Sequence, residues 1–528
     1  MKNISLLFPD SVHFHNRNFK SLFDFIGKNN IKHTFISNRD HWVGAFGNYD
    51  CFADELLAYS DRLMDKNKGD ILEFNVDGIN LFDICRDEAL TYYLPKPEFR
   101  NKIASYPARN KLFEIMYETD INALILNMSA AWSWYDFWRE NLGGMKNHTY
   151  VLIFSGAQIY NRMLLEILKT HPSTPLVMEH FFTGNEYYLE EKYAPIPNNS
   201  DMKYANYFNS IKVDEDKNDF DRMKIKAINK VILSNNKNVK KSSFTEIIPA
   251  KDRNIVTIIG QVVNDFSIIC TAKKYLSTIG FYIEIIDSLL KETDCFVVFK
   301  AHPWERNKSN VRTSLTYDEL NDYILSLPIE LQERVYLTEE FDLYDLMHQS
   351  KHIVTLCSQS AIEAAFIGLK PIQFGGAFYG NKSFTYDYNC IDAFIKQYNN
   401  GTLNPYLTLD EYDSFEMFLV KVFEKELISV FQSGVTSLER KLFLVPPIPL
   451  VKSDVNNDVP PPAVQNVPAP IHFKNNAKKS VEENKINKSE ISTVLIVNKK
   501  LAKFKKDPKK FFLDSKYKSL RLIGHVFY

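Results

Sequence analysis

The sequence has no long hydrophobic run and few cysteines. No stretch of 18 or more apolar residues occurs, and the apolar stretch near Met1 is too short for a signal peptide, so we expect a cytoplasmic protein without a transmembrane helix. The six cysteines include no C-x-x-C pair and no metal-ligand spacing. We therefore expect reduced, mostly buried thiols and no metal site.

Two common nucleotide-binding signatures are also absent. The sequence contains neither G-x-x-x-x-G-K-[ST] nor G-x-G-x-x-G, which disfavours nucleotide binding through those loops. What is present is ample apolar sequence, 45% of 528 residues beside 24% charged residues. Such a chain buries large cores, which excludes disorder throughout.

The charge is unevenly spread although the net charge is −1. Residues 498–528 contain ten Lys or Arg and two Asp or Glu, interleaved with Phe and Leu, while the rest of the chain is mildly acidic. This pattern predicts a tail that associates with an anionic membrane surface. A merely solvated basic helix is the alternative, and nucleic-acid binding is disfavoured because no recognised binding module accompanies the charge.

Two regions alternate strand-like and helix-like patterns as parallel sheets do. In the first, the strands Tyr150–Phe154 and Pro175–Met178 flank the helix Gln158–Thr170. The second repeats the alternation more regularly between residues 254 and 374. We predict an α/β fold with two Rossmann-like lobes and a cleft between them.

The same patterns divide the chain into five segments. The predicted segments are an N-terminal lobe (1–245), a C-terminal lobe (246–400), buttressing helices (401–445), a linker rich in Pro, Asn and Lys (446–490) and a basic amphipathic tail (491–528).

Carboxylates follow one strand of each predicted sheet, where ligands of parallel sheets bind. Asp265 comes after the strand Asn254–Ile259, past a turn that Gly260 permits. It is interpreted either as a helix cap or as a catalytic carboxylate. Glu179 follows Pro175–Met178 and is expected to face the same cleft. Paired carboxylates on opposing lobes are suited to act as a nucleophile and as a general acid/base.

Other loops carry groups that suit an anionic ligand. Lys300 and His302 follow a strand and are predicted either to contact a phosphate or carboxylate or to form an ordinary polar loop. Ser358 and Ser360 begin a predicted helix, whose N-terminus favours anions. Glu363, in the first turn of that helix, either accepts hydrogen bonds from a ribose or simply complements the helix dipole.

Together these motifs resemble the capsule polysaccharide biosynthesis family of bacterial glycosyltransferases, which includes retaining β-Kdo transferases. Their order over residues 250–390 makes the set specific, and Glu179 with Tyr188-Leu189-Glu190 is similar to an acidic motif of the family's first lobe. A departure is that Phe181 and Phe182 stand where the family usually has a glycine. The motifs that match are Gln261-Val262-x-x-Asp265-x-Ser267, Lys300-x-His302-Pro303, Ser358 through Glu363-Ala364 to Gly368-x-x-Pro371, and Gly376-x-Phe378-Tyr379 with Thr385-x-Asp387.

The resemblance implies a GT-B fold and a CMP-activated sugar donor as substrate, with no cofactor and no essential metal. It implies that Asp265 is the nucleophile, that Glu179 is the acid/base, and that His302 completes the catalytic group. Lys300 and His302 would stabilise the donor phosphate or the sugar carboxylate. The donor-binding residues that it implies are Gln261, Lys300, Ser358, Ser360, Glu363 and Tyr379.

The activity that the resemblance implies is transfer of Kdo from CMP-β-Kdo to a glycan or lipid-linked glycan, with retention, in capsule or lipopolysaccharide O-antigen synthesis. The enzyme is expected to be peripheral on the inner face of the cytoplasmic membrane. Two alternatives stay open: a transferase that uses CMP-sialic acid or a CDP-polyol on the same scaffold, and a non-catalytic polysaccharide assembly protein.

Overall fold

The structure is a computed structural model. It describes residues 4–103, 105–145, 148–213, 216–234, 244–308 and 310–444. The predicted linker at 446–490 and the predicted basic tail at 491–528 lie outside the described residues.

The N-terminal half combines a sheet with a block of helices. Its strands are β1 (Ser5–Phe8), β2 (Lys32–Phe35), β3 (Asn75–Val76), β4 (Ile79–Asn80), β5 (Tyr150–Phe154), β6 (Thr174–His180) and β7 (Glu186–Glu191). Its α-helices are α1 (Lys20–Lys28), α2 (Ala53–Met64), α3 (Lys68–Leu72), α4 (Leu81–Tyr93), α5 (Pro97–Arg100), α6 (Arg109–Thr119), α7 (Ile121–Met145), α8 (Ile159–Leu168), α9 (Ala205–Ser210) and α10 (Lys217–Ile232).

The C-terminal half alternates strands and helices. Its strands are β8 (Ile255–Ile259), β9 (Phe296–Lys300), β10 (Val335–Thr338), β11 (His352–Thr355), β12 (Ile372–Gln373), β13 (Tyr386–Asp387) and β14 (Ile428–Ser429). Its α-helices are α11 (Phe266–Ile269), α12 (Thr278–Glu292), α13 (Leu315–Leu325), α14 (Ile329–Gln332), α15 (Leu343–Gln349), α16 (Ser360–Phe366), α17 (Ile391–Asn399), α18 (Leu409–Val420) and α19 (Ser433–Glu439).

Two six-stranded sheets organise these elements. The first has the order β14-β7-β6-β5-β1-β2, in which β5, β6, β1 and β2 are parallel while β7 and β14 run antiparallel to their neighbours. The second has the order β10-β9-β8-β11-β12-β13 and every pairing is parallel. The central strands β8, β9 and β11 are buried along their whole length, as expected for parallel strands that helices cover on both faces. The predicted α/β class is confirmed.

Two features differ from the sequence-based expectation. Helices α2 to α7 form a block between β2 and β5 that was not predicted. The segment 401–445, predicted to form buttressing helices, also contains the strand Ile428–Ser429, which pairs with β7 of the first sheet. A two-residue strand is too short for hydrophobic periodicity to reveal. The chain therefore returns to the first sheet after completing the second.

None of the helices in the described ranges combines the length and the apolar composition that are needed to cross a bilayer.

Candidate active site

A cavity of about 620 Å³ is lined by loops that follow strands of both sheets. The first sheet contributes the ends of β5 and β6, and the second contributes the loops after β8, β9 and β11. Parallel strands bring such loops to one edge of a sheet. The predicted site residues that the cavity brings together are Glu179, Gln261, Asp265, Lys300, His302, Ser358, Ser360 and Glu363.

Asp265 is both a helix cap and a cavity residue, so its two interpretations are compatible. Its Oδ1 accepts a hydrogen bond from the backbone N–H of Ser267 at 2.8 Å, which caps α11. Its Oδ2 accepts one from Gln261 Nε2 at 3.2 Å. Gln261 is itself fixed, because its Oε1 accepts from the N–H of Cys357 at 2.8 Å. The carboxylate is thus held at both oxygens.

Gly260 lets the chain leave β8 close to the neighbouring strand. Its N–H donates to the carbonyl oxygen of Lys300 at 2.8 Å. A Cβ at this position would lie 2.8 Å from the ring of Phe299 and 3.0 Å from the Lys300 carbonyl oxygen. A larger residue would therefore push the loop that carries Asp265 away from the end of β9, where Lys300 lies.

We expect Gly260→Ala to lower the free energy of unfolding by about 1–3 kcal/mol, because the added methyl overpacks this contact. Gly27→Ala is the matched control, since a Cβ at Gly27 meets nothing within 4 Å. Urea unfolding of both variants checks the prediction. A Gly260→Ala protein as stable as the wild type would contradict it.

Glu179 lies near the end of β6, and its Oε2 is buried. Burial raises its pKa to about 7, and the nearby negative charge of Asp265 acts in the same direction. The Ser155 hydroxyl donates a hydrogen bond to it and opposes that rise. Ser155 and Gly156 have φ of 61° and 81°, so the chain turns sharply after β5 to present this hydroxyl. A carboxyl with this pKa exchanges its proton near neutral pH.

Lys300 and His302 are positioned differently from each other. The ammonium of Lys300 donates to the carbonyl oxygen of Glu339 at 2.5 Å, and burial lowers its pKa to about 8. His302 Nδ1 accepts from the N–H of Trp304 at 3.2 Å, which leaves the ring proton on Nε2. Burial lowers the pKa of His302 to about 4, so the ring is neutral at pH 7. The pair offers the cavity one cation and one neutral donor.

The loop between β11 and α16, which carries Ser358 and Gln359, contacts the loop after β6 of the first sheet. Ser358 Oγ accepts from the N–H of Ser360 at 3.3 Å at the start of α16, and Gln359 Oε1 accepts from the N–H of Phe182 at 3.2 Å. Tyr379, predicted to bind the donor, is fully buried and lies outside the cavity lining. Its hydroxyl donates to the carbonyl oxygen of Ser358 at 2.6 Å, so Tyr379 holds this loop in place without lining the cavity itself.

Lys308 is a cavity residue that the sequence did not reveal. It lines the same cavity. Its positive charge lowers the pKa of Glu179, which opposes the effect of burial, and it lowers the pKa of His302, which adds to the effect of burial. It lies in the irregular stretch beyond Pro303, where neither periodicity nor a motif marks it. It places a second cation beside the two carboxylates.

Metal ligation has no candidate in the described part of the chain, since no group of three or more His, Cys, Asp or Glu side chains is placed to hold an ion there. All six cysteines are free thiols, of which Cys85, Cys295 and Cys357 are buried.

Residues 168–405 match the family model described as "Capsule polysaccharide biosynthesis protein". The resemblance predicted from the motifs is confirmed over this range, which contains every predicted site residue. The match supports a role in capsule polysaccharide biosynthesis. No functionally curated protein matches the chain significantly.

Among solved structures, the chain is similar to two KpsC structures from Thermosulfurimonas dismutans. One is a β-Kdo 2,4 transferase (20% identity, 52% of this chain and 79% of that chain, TM-score 0.35), and the other is a β-Kdo 2,7 transferase (16%, 57% and 88%, TM-score 0.33). The chain is also similar to an S. aureus MnaA–UDP co-structure (11%, 84% and 98%, TM-score 0.29). Likenesses this distant assign neither a substrate nor a mechanism to this chain.

Proposed function

We propose that the chain is a retaining glycosyltransferase of bacterial surface polysaccharide synthesis that transfers Kdo from CMP-β-Kdo to a glycan or glycolipid. In this proposal the lobes 1–245 and 246–400 form a GT-B arrangement. The observation that carries the proposal is a single cavity that holds Glu179 from the first sheet and Asp265 from the second. Lys300 and His302, which can donate hydrogen bonds, line the same cavity. This pair lies inside the range that matches the capsule family.

In the first step, a carboxylate oxygen of Asp265 attacks the anomeric carbon of the sugar. The bond from that carbon to the phosphate oxygen breaks, and CMP leaves with the electron pair. Lys300 and the Nε2–H of His302 stabilise the charge that develops on the phosphate. A phosphate leaves without strong protonation, so a neutral histidine is sufficient here.

In the second step, Glu179 takes the proton of the acceptor hydroxyl. The acceptor oxygen then attacks the anomeric carbon and releases the Asp265 carboxylate, so two inversions give net retention. A base with a pKa of about 7 is well matched to this task, because it is substantially ionised at neutral pH and still a useful proton acceptor.

The donor nucleotide is assigned to the wall formed by Ser358, Ser360 and Glu363, which Tyr379 supports. Glu363 also accepts a hydrogen bond from Tyr344, another lining residue. No cofactor is required in this scheme. We further propose that the basic tail 491–528 associates with anionic lipid on the inner face of the cytoplasmic membrane, where a lipid-linked acceptor is available.

A donor screen tests the proposal. The protein is incubated separately with CMP-Kdo, CMP-sialic acid and CDP-glycerol, and nucleotide release is measured with and without a capsule-type acceptor. We expect release from CMP-Kdo only. Release from CDP-glycerol or CMP-sialic acid instead would replace the donor assignment. No release from any of them would favour a non-catalytic assembly protein.

Lys308 is expected to neutralise the carboxylate that the transferred sugar carries at its anomeric carbon. Loss of a hydrogen bond to a charged group costs about 1.5–3 kcal/mol, so Lys308→Met should raise KM for CMP-Kdo roughly 10- to 150-fold. CMP lacks this carboxylate, so its affinity, measured by calorimetry, should not change. The exposed Lys351 gives the control variant Lys351→Met. Equal weakening of CMP binding would place Lys308 on the phosphate instead.

A further inference from the structure

A second, smaller cavity adjoins the main one at Glu179. Its volume is about 50 Å³, and it shares Glu179, His180, Ser267 and Gln359 with the main cavity. Tyr188, Asn198 and Ser200 are the polar residues that line this cavity and not the main one. We call this cavity the side chamber.

Two polar atoms of the side-chamber wall are buried without a hydrogen-bond partner among the described residues. They are Oε2 of Glu179 and the hydroxyl of Tyr188, whose side chain is only 5% exposed. Buried polar groups in native proteins are hydrogen-bonded, and ordered water serves where protein groups do not. A water site needs roughly 10–15 Å³ of such space, so the side chamber is large enough.

The strand register places Tyr188 beside Glu179. The two residues are direct partners in the antiparallel pair of β6 and β7. Directly opposed side chains share a face of the sheet, with Cβ atoms ~4.5–5.5 Å apart. The Tyr188 ring meets Phe181 and Phe378 edge to face, at centroid distances of 5.7 Å and 6.1 Å. These rings fix the direction in which the hydroxyl projects.

Ser200 connects the side chamber to a second buried carboxyl. Its Oγ donates to Glu190 Oε1 at 2.5 Å, and the N–H of Asp201 donates to Glu190 Oε2 at 2.9 Å. Glu190 is 6% exposed. Because Ser200 already uses its proton on Glu190, its oxygen can only accept from a water in the side chamber. Such a water therefore finds an acceptor there as well as at Glu179.

We propose that the side chamber is a water site through which the Tyr188 hydroxyl supports the Glu179 carboxylate, which makes Tyr188 a positioning residue for the base. Tyr188 donates to the water, and the water donates to Glu179 Oε2. Donors directed at the charged form of a carboxyl lower its pKa. Tyr188 thereby keeps Glu179 ionised when donor and acceptor fill the main cavity. The inference rests on the proposed function for its catalytic meaning.

Several polar or titratable groups interact with Glu179. Those that face it are Ser155 and Tyr188 from its own sheet, and Asp265, Cys270 and Lys308 from the other half of the chain.

Tyr188→Phe and Tyr187→Phe form a matched pair that tests the inference. Both remove a buried hydroxyl from β7, but Tyr187 projects from the opposite face, where its hydroxyl lies 3.0 Å from Ser21 Oγ. Glu179 is titrated in the full chain by infrared difference spectroscopy, with Glu179→Gln as the subtraction reference. We expect Tyr188→Phe to raise the midpoint by about half a unit to one unit, and Tyr187→Phe to leave it unchanged. Equal midpoints for all three proteins, or equal shifts in both variants, would overturn the inference.

This titration needs no turnover, so it separates the inference from the proposed function. Failure of the wild type to release CMP from CMP-Kdo would reject the proposed function alone. Where the wild type is active, the midpoint of the acidic limb of its pH–rate profile should move with the infrared midpoint in Tyr188→Phe. An unmoved limb would contradict the role in catalysis.

A crystal structure of the wild-type protein gives a check that needs no variant. We expect ordered water within hydrogen-bond distance of both Glu179 Oε2 and the Tyr188 hydroxyl. A dry chamber would overturn the inference. Melting temperatures add a second criterion, because removing a truly unpaired hydroxyl should stabilise Tyr188→Phe, whereas removing a water-bound one should not.

Discussion

Asp265→Asn is expected to abolish glycosyl transfer while the protein stays folded. Loss of a covalent nucleophile lowers kcat by roughly 10⁴-fold or more. Asparagine is as good a helix cap as aspartate, so its Oδ1 keeps the bond from the Ser267 N–H. Its amide nitrogen replaces Oδ2 opposite Gln261, a local loss that leaves the core untouched. The measurement is CMP release and product formation from CMP-Kdo beside a thermal melt.

The control for Asp265→Asn is Asp252→Asn, which changes an exposed aspartate in the turn before β8. It should keep wild-type activity. Transfer at near wild-type rate in folded Asp265→Asn would show that Asp265 is only the cap of α11. A melt that collapses in Asp265→Asn but not in Asp252→Asn would show that its role in the loop is primarily structural.

Glu179→Gln is expected to lower kcat by about 10²- to 10⁴-fold, the usual contribution of a positioned general base. Wild-type activity should rise with pH through about 7, because Glu179 accepts the acceptor proton only after losing its own. Glutamine does not titrate, so this limb should vanish from the pH–rate profile of the variant. Glutamine also retains an oxygen that accepts from the Ser155 hydroxyl, which limits the structural change.

Glu191→Gln is the control for Glu179→Gln. Glu191 is a partly exposed glutamate on the neighbouring strand β7 and does not line the cavity. Its replacement should leave both the rate and the pH limb in place. A Glu179→Gln enzyme that keeps the acidic limb would assign that limb to another group and remove Glu179 from the proton transfer.

The cavity residues were predictable because they lie at or just beyond the ends of buried strands. Hydrophobic runs such as Tyr150–Phe154 and Ile255–Ile259 mark parallel strands, and polar residues after them meet at one sheet edge. Asp265 and Glu179 were found in this way, and both line the cavity. Their catalytic roles stay predictions.

The parts that escaped prediction depend on three-dimensional packing. β14 is two residues long and becomes a strand only because β7 offers an edge. Tyr379 was assigned to the donor by its motif, but its hydroxyl points to the Ser358 carbonyl oxygen. Lys308 reaches the cavity through an irregular loop, and Tyr188 meets Glu179 only through strand register. None of these contacts produces a pattern of hydrophobic periodicity by which the sequence could reveal it.

The most direct test of the covalent mechanism is intact-protein mass spectrometry after incubation with CMP-Kdo generated in situ, using the wild type and Glu179→Gln. We expect a mass increase of one Kdo that accumulates in Glu179→Gln and maps to Asp265, because the second step is slowed while the first proceeds. Absence of both adduct and CMP release would contradict the Kdo assignment. CMP release without an adduct in either protein would contradict the Asp265-linked intermediate.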